Sequence, residues 1–365
     1  MIEVDGSFEE GGGAIVRTAL ALSTVTRQSF AVNDIRKGRK IPGLKPQHLY
    51  CIKALEQLCN ADVKGAEEGS LFLKYFPGKL ISRDIEIDIG TAGSITLFLQ
   101  AILLPSLFAS RTMNIRITGG TDVKWSMPFD YMNNVFFPQI LRFADVKARL
   151  LKRGYYPKGN GRIEIKITPR IKLNDFATFP EFRQILGQKV PKYNIIDQPH
   201  LIQIKGISHA SLSLQKANVA ERQAENANSI LKKQFDVPIK IQPEYQDTLS
   251  TGSGITLWAI FSKNKDDVDE NNPIRMGADA LGEQGKKAEL VGEEAVLSLI
   301  NEIKSNAPVD SHLADQLLPF MALLKGSKIK TSRITNHSKS NVYAIEKFLD
   351  KTFDVDEANG VIESV

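Results

Sequence analysis

The chain has 365 residues, of which 42% are hydrophobic and 24% are charged, and its formal net charge is +5. This composition is that of a soluble globular protein with two or three domains, and it excludes a disordered or fibrous chain. The mild basic excess is compatible with a polyanionic partner, but a lysine-rich solvated surface would give the same net charge.

The apolar and cysteine content favours a cytoplasmic protein. The longest apolar run, residues 95–109, is interrupted by Gln100 and Pro105 and is too short to span a membrane. Cys51 and Cys59 are too few for a disulfide framework, and we expect both to pack as small apolar groups on one helix. The charged start MIEVDG is not a secretory signal.

In chain order, one pattern occurs three times. Residues 9–35 and 89–117 each contain a glycine-rich turn, an apolar helix and a strand, and a second helix and a strand pair follow each of them. A third copy begins with the helix 312–324 and ends in a hairpin with an Asn-Gly turn signal. The sequence therefore predicts an α/β (α+β) fold of three repeated units, each with two helices on a four-stranded sheet.

A segment of different character separates the second and third copies. It contains strand patterns and an amphipathic helix at 218–235. We interpret residues 185–305 as a smaller inserted α/β domain, although the helix 293–303 fits either side of this boundary. The large domain then consists of 1–184 and 306–365, with repeats at about 1–85 and 86–170 and a third completed by 306–365.

The first glycine-rich turn, EGGGAIVR, is typical of an anion site. Glycines leading into a helix present backbone N–H groups, and Arg17 lies on the first two turns of that helix. Glu10 would repel a phosphate unless a divalent cation lay between them, so it suggests a metal–phosphate site. Alternatively, the stretch is an ordinary turn in which Glu10 is a helix N-terminal charge.

A basic loop follows at residues 36–45. Its five cations, which no acid accompanies, favour phosphate contacts. The alternative is a solvated basic loop. The five are Arg36, Lys37, Arg39, Lys40 and Lys45.

Polar and aromatic residues mark the next two regions. Gln100 interrupts an apolar helix, so it either caps a backbone group or contacts a ligand. Trp125, Tyr155 and Tyr156 lie in turn-rich stretches, where they either line a cleft or pack as ordinary loop aromatics.

Histidines near the end of the chain are candidates for nucleophilic chemistry. His337 lies after a strand and at the start of a helix, in a loop that can return near the preceding helix. Asp315 is either an N-terminal helix charge or a carboxylate that orients an imidazole, which leaves the other ring nitrogen free to attack.

Taken in this order and spacing, EGGGAIVR, IRKGRKIPGLKPQH, GTAGS, HLADQ and the His337 loop closely resemble the RNA 3′-terminal phosphate cyclases. The resemblance covers essentially the whole chain. It implies repeats similar to a translation initiation factor domain and a thioredoxin-like insertion. It also implies an enzyme that uses ATP and Mg²⁺ or Mn²⁺ to convert an RNA 3′-phosphate to a 2′,3′-cyclic phosphate.

The resemblance also implies the site residues. The adenylylated histidine falls on His337, and the metal-binding glutamate falls on Glu10. The nucleotide and phosphate contacts fall on Gln100, His312, Leu313, Ala314, Asp315, Gln316, Arg17, Arg36, Arg39 and Gln47. The chain has His312 where some members have tyrosine, and Met127-Pro128 where some have two prolines.

Two other functions share this kind of fold. Cyclase-like ribosome-assembly proteins lack the nucleophilic histidine, and enolpyruvyl transferases need none. We expect RNA with a 3′-phosphate as the partner and no membrane partner, with a homodimer as one possible assembly.

Overall fold

The computed structural model describes residues 1–9, 12–264 and 268–365. In this part of the chain, helices pack on four sheets of four strands each. This mixture of helices and sheets confirms the predicted α/β (α+β) fold class.

The first sheet has the spatial order β1-β2-β4-β3, and two helices cover it. Its elements are β1 (Ile2–Asp5), α1 (Gly13–Thr26), β2 (Phe30–Asn33), α2 (Pro46–Cys59), β3 (Asp62–Lys64) and β4 (Leu73–Phe76).

The second sheet repeats this order as β5-β6-β8-β7. Its elements are β5 (Ile85–Asp88), α3 (Ile95–Ser106), β6 (Met113–Gly119), α4 (Phe129–Tyr131), a π-helix (Met132–Phe136), α5 (Phe137–Ile140), β7 (Ala144–Lys152) and β8 (Gly161–Pro169).

A sheet with longer strands, here called the long-strand sheet, occupies the centre of the chain. The elements that lead into it and form it are α6 (Phe179–Lys189), β9 (Asn194–Ile195), β10 (His200–Ser211), α7 (Val219–Gln234), β11 (Ile239–Gln246), β12 (Ser253–Ser262), β13 (Ile274–Leu281) and α8 (Ala288–Lys304). Its order is β11-β10-β12-β13, and α8 packs on α7 and β13. Helix 293–303 therefore belongs with this sheet.

The third sheet contains the C-terminal elements and one strand from before the long-strand sheet. The remaining elements are α9 (Ser311–Met321), β14 (Lys328–Lys330), α10 (Asn336–Leu349), β15 (Phe353–Asp356) and β16 (Val361–Ser364). The order is β15-β16-β14-β9, because β9 pairs in parallel with β14. This pairing places 194–195 in the third sheet, inside the range predicted for the insertion. The division into domains stays a prediction.

Helix α1, at the centre of the fold, is buried on all sides. Every residue of α1 from Ile15 to Thr26 is buried, because α1 packs against α2, α3 and α10. Cys51 and Cys59 are both free and buried on α2, as the sequence predicted. In the part of the chain that the structure describes, no helix is both long and apolar enough to span a membrane.

Some predicted elements differ in detail. The second helix of the second copy is broken by the π-helix, and α10 begins at Asn336, one residue before His337. His337 therefore lies in the first turn of a helix and not in the loop before it. The predicted C-terminal hairpin is confirmed, with Gly360 at φ +66° in its turn.

Candidate active site

The N-terminus of α1 is shaped to hold an anion. Gly12 is its N-cap residue and provides no side-chain cap, and the first turn has no acidic residue. A Cβ on Gly12 would lie 3.5 Å from Arg39 Nη2, and one on Gly13 would lie 2.2 Å from His48 Nε2. Only glycine at position 13 leaves room for this imidazole beside the helix end. Glu10, the predicted metal ligand, lies outside the described residues.

His48 is a site residue that the sequence analysis missed. Its Nδ1 accepts a hydrogen bond of 2.9 Å from the Lys45 backbone N–H, while Nε2 is buried and has no partner among the described residues. Burial, and then the charges of Arg17, Arg36 and Lys45, lower the pKa of His48 to about 3. The ring is therefore neutral, and because Nδ1 accepts, its proton is on Nε2 and faces the end of α1.

Arg17, Gln100 and Gln316 form one chain of side-chain hydrogen bonds. Arg17 Nε donates to Gln100 Oε1 at 2.7 Å, and Gln100 Nε2 donates to Gln316 Oε1 at 2.8 Å. Burial lowers the pKa of Arg17 to about 10, with a smaller contribution from Arg36, so the guanidinium stays charged at neutral pH. Three residues that are distant in sequence thus place a cation close to the anion-binding helix end.

A second set of hydrogen bonds positions the turn that carries His337. Asp315 Oδ1 accepts from the Thr335 hydroxyl at 2.7 Å and from the Ser338 hydroxyl. Thr335 is also the N-cap of α10, where its hydroxyl accepts from the Ser338 N–H. Burial raises the pKa of Asp315, while these hydroxyls and the nearby His337 act to lower it. The buried Asp315 thus lies close to the exposed His337.

The same turn is attached to α1. Asn341 Nδ2 donates to the Asp315 backbone carbonyl at 2.9 Å, and Asn341 Oδ1 accepts from the Thr18 hydroxyl at 2.9 Å. Asn341 lies on α10 and Thr18 on α1, so α1, α9 and α10 are fixed relative to one another near their N-terminal ends. These contacts bring the His337 turn and the glycine-started helix into one site.

The basic loop is structured. Arg36 Nη1 donates to the carbonyls of Ile41 at 2.9 Å and Gly43 at 3.2 Å, so this guanidinium shapes the loop itself. Burial and the neighbouring Arg39 lower the pKa of Arg36. Gln47 is partly exposed on the first turn of α2.

The start of α9 differs from the prediction in its N-cap residue and in the burial of two predicted nucleotide contacts. Asp310, which the sequence analysis missed, is its N-cap and accepts from the N–H groups of His312 and Leu313 at 3.0 and 2.9 Å. Asp315, considered for that role, lies one turn later. Leu313 and Ala314 are fully buried, so their side chains are core groups, whereas His312 is exposed.

Burial perturbs two carboxylates near His312. It raises the pKa of Asp310 to about 6, with Glu302 adding to the effect. Burial likewise raises the pKa of Asp279, on β13, to about 7, although His312 acts to lower it. Asp279 was not predicted from the sequence.

A separate buried cluster joins the second sheet to the long-strand sheet. Asp122, Asp130 and His209 have ligand atoms close enough together to hold a metal ion. The guanidinium of Arg153 already lies among them, 3.2 Å from Asp122 and 2.6 Å from Asp130. Burial opposes ionisation of Asp122, but Arg153 and His209 still lower its pKa. The cluster is therefore a buried ion-pair network that does not suit a cation.

Comparisons with known proteins identify the family of the chain. A family model described as RNA 3′-terminal phosphate cyclase matches residues 8–355. The chain is 43% identical to the RNA 3′-terminal phosphate cyclase of Pyrococcus abyssi, covering 98% of this chain and 95% of that protein. The proteins of the same name from Pyrococcus furiosus, 43% identical over 97% of this chain and 95% of the relative, and Archaeoglobus fulgidus, 40% identical over 96% of each, are similar. The chain belongs to the RNA 3′-terminal phosphate cyclase family.

Proposed function

We propose that the protein uses ATP to convert an RNA 3′-phosphate end to a 2′,3′-cyclic phosphate. Membership of the family supports this activity. The observation that carries it is the exposed His337 in the first turn of α10, joined through Asp315, Asn341 and Thr18 to the glycine-started helix α1. This arrangement supports a site that combines a nucleophile with an anion-binding helix end.

The first step forms a covalent nucleotide on the protein. A neutral ring nitrogen of His337 attacks the α-phosphorus of ATP, an N–P bond forms, and the bond to the β-phosphate oxygen breaks to release pyrophosphate. The α1 N-terminus, Arg17 and Arg39 provide positive charge for the triphosphate, and His48 provides an uncharged N–H donor. Asp315 keeps the turn of His337 in place through Thr335 and Ser338.

Two transfers complete the reaction. An oxygen of the RNA 3′-phosphate attacks the adenylyl phosphorus, so the N–P bond breaks and His337 is regenerated. The adjacent ribose 2′-OH then attacks the phosphorus of the 3′-phosphate, loses its proton to water and expels AMP. Because the ribose places this hydroxyl next to the phosphate, little further help is needed, and DNA cannot react in this way.

A divalent cation would neutralise phosphate charge in this site. We assign Mg²⁺ or Mn²⁺ to Glu10, which precedes the N-cap Gly12 by two residues in the sequence. A carboxylate so close in sequence to an anion-binding helix end suits such an ion. The metal and its ligand remain part of the proposal.

The test is self-labelling with α-labelled ATP. We expect acid-labile, base-stable label on the wild type, a mass increase of one AMP, and loss of both in His337→Ala and His337→Asn. His200→Ala, which replaces another exposed histidine, is the matched control and should label normally. A folded wild type that takes up no label contradicts the proposal and favours a non-catalytic relative. Phosphate release from phosphoenolpyruvate without labelling would favour an enolpyruvyl transferase.

A further inference from the structure

Two aromatic side chains stand out of the surface beside the candidate active site. Trp125 is 95% exposed and Tyr156 is 77% exposed, more than any other large hydrophobic side chain among the described residues. One exposed apolar side chain is ordinary, but two exposed aromatic rings on adjoining loops are typical of a surface that a partner covers.

The loops that carry the two rings are packed together. The Thr121 N–H donates to the Gly154 carbonyl at 3.0 Å, which joins the loop of Trp125 to that of Tyr156. A Cβ on Gly159 would lie 2.5 Å from the Thr91 carbonyl, so the turn before α3 touches the second loop closely. Three loops therefore meet at one end of the second sheet.

This end of the sheet borders the site. The Thr96 hydroxyl donates to the Met127 carbonyl at 2.8 Å, two residues beyond Trp125. Thr96 lies about one turn, roughly 6 Å along the helix axis, before Gln100 on α3. Gln100 in turn contacts Arg17 and Gln316. Trp125 is thus at the rim of the proposed reaction centre.

Both rings are attached to anchored backbone. The Ser126 hydroxyl donates to the Val123 carbonyl at 3.0 Å, and Trp125 has φ +61°, an unfavourable conformation for so large a residue. Beside Tyr156, the buried Tyr155 contacts His209 Nδ1 through its hydroxyl at 2.8 Å. Because the loops are already ordered, stacking of a partner on these rings costs little conformational entropy of the protein.

The basic side chains near the two rings indicate what kind of partner they bind. Lys158 is exposed two residues after Tyr156, and Arg162 is exposed at the start of β8. Lys124, next to Trp125, forms an exposed ion pair with Glu283. Aromatic rings interspersed with cations are the means by which proteins bind single-stranded nucleic acid. We propose that Trp125 and Tyr156 stack the RNA bases that immediately precede the 3′-phosphate end. This inference rests on the proposed function for the identity of the end.

The first experiment separates nucleotide use from RNA use. Trp125→Ala and Tyr156→Ala should self-adenylylate at the wild-type rate, whereas the KM for a single-stranded RNA 3′-phosphate should rise by roughly tenfold in Trp125→Ala. Trp125→Phe should restore most of the loss because it keeps a stacking face. Leu297→Ala, which removes an exposed side chain on α8, is the control and should change neither value.

The second experiment changes the RNA substrate. Replacing the two nucleotides before the end with abasic units should weaken wild-type cyclisation and have a much smaller effect on Trp125→Ala. Binding should also quench tryptophan fluorescence, because the other tryptophan, Trp258, is buried. A quench that survives in Trp125→Tyr would overturn the stacking contact.

The outcomes distinguish this inference from the proposed function. If the wild type neither labels nor cyclises, the proposed function fails. If it does both, and Trp125→Ala and Tyr156→Ala keep the wild-type KM for RNA, the stacking surface is wrong. Slower self-labelling in Trp125→Ala would assign the ring to ATP and overturn the inference, as would binding of a protein ligand that RNA does not displace.

Discussion

The side-chain amide of Gln100 donates a hydrogen bond of 2.8 Å to Gln316, a residue 216 positions later in the chain. The orientation of this amide is determined by Arg17, which can only donate and therefore requires the oxygen of Gln100 on its side. The amide nitrogen must then face an acceptor on α9. One glutamine thus joins α1, α3 and α9 and fixes the direction of a buried guanidinium.

Replacing Gln100 with leucine should weaken ATP use. Arg17 would lose its acceptor and stay buried, so we expect the KM for ATP in self-labelling to rise by about tenfold, equivalent to roughly 1–2 kcal/mol. Gln234→Leu, at the exposed end of α7, is the control. Unchanged ATP kinetics in Gln100→Leu would show that this chain of hydrogen bonds does not serve nucleotide binding.

Much of the fold follows from local pattern. The glycine start of α1, the buried helices and the Asn-Gly hairpin each have a signal within a few residues, and the described part of the chain contains them. β9 could not be found in this way, because it is only two residues long and pairs with β14, which lies more than 130 residues away. The π-helix at Met132–Phe136 likewise depends on packing around it.

The candidate site shows the same division. Gln100 was recognisable as a polar residue in an apolar helix. His48 was not, because its role depends on its burial against Gly13, 35 positions earlier, and nothing in the sequence around it indicates that contact. The hydroxyls of Thr335 and Ser338 also gave no signal, since they become partners of Asp315 only when α9 and α10 pack together.

The contact between Gly13 and His48 gives a steric prediction. Gly13→Ala should lower the rate of self-labelling by at least about tenfold, because its Cβ would overlap His48 Nε2 and crowd Arg17. The protein should remain folded, since the imidazole lies at the edge of the helix end. Labelling rates and circular dichroism together would check this.

Two further variants test whether overlap with His48 causes the loss of labelling in Gly13→Ala. Gly38→Ala, in the neighbouring basic loop, is the matched control, since a Cβ there would meet no atom within 4 Å. In the double variant Gly13→Ala/His48→Ala the overlap disappears, so the combined loss should be smaller than the sum of the two single losses. Additive losses would mean that Gly13 is required for a reason other than room for His48.

The carboxyl of Asp279 predicts a pH dependence of stability. Its pKa is raised to about 7, so the folded state binds more protons than the unfolded state between about pH 4 and 7. The contribution of Asp279 to stability is therefore fully present below pH 4 and is lost as the pH rises to 7. Urea unfolding of the wild type should show this decline, and Asp279→Asn should show less of it.

Contact of Asp279 with water limits how much its titration changes the free energy of unfolding. Because Asp279 is partly exposed, we expect the wild type and Asp279→Asn to differ by on the order of 2 kcal/mol in their change between pH 5 and pH 8. Asp145→Asn, which replaces an exposed carboxylate, serves as the control. Parallel pH profiles for wild type and Asp279→Asn would show that the carboxyl titrates in its ordinary range.

The buried guanidinium of Arg153 is expected to hold two parts of the molecule together. It contacts Asp122 and Asp130 beside the second sheet and Glu244 on β11 at 2.7 Å, and it is only 1% exposed. Arg153→Met would leave carboxylates buried without a cation, which costs roughly 3–5 kcal/mol. We expect a lower unfolding temperature and faster proteolysis between the second sheet and the long-strand sheet.

An exposed arginine on the strand that ends just before Arg153 provides the control for the loss of stability in Arg153→Met. Arg149, four residues earlier, pairs with Glu164 at 3.0 Å but is largely exposed, so Arg149→Met should cost less than about 1 kcal/mol. Both variants remove one arginine and one positive charge, and they differ mainly in burial. If Arg153→Met and Arg149→Met unfold at the same temperature, water or relaxation compensates the charges of Asp122 and Asp130. The ion-pair network would then contribute nothing specific to joining the two sheets.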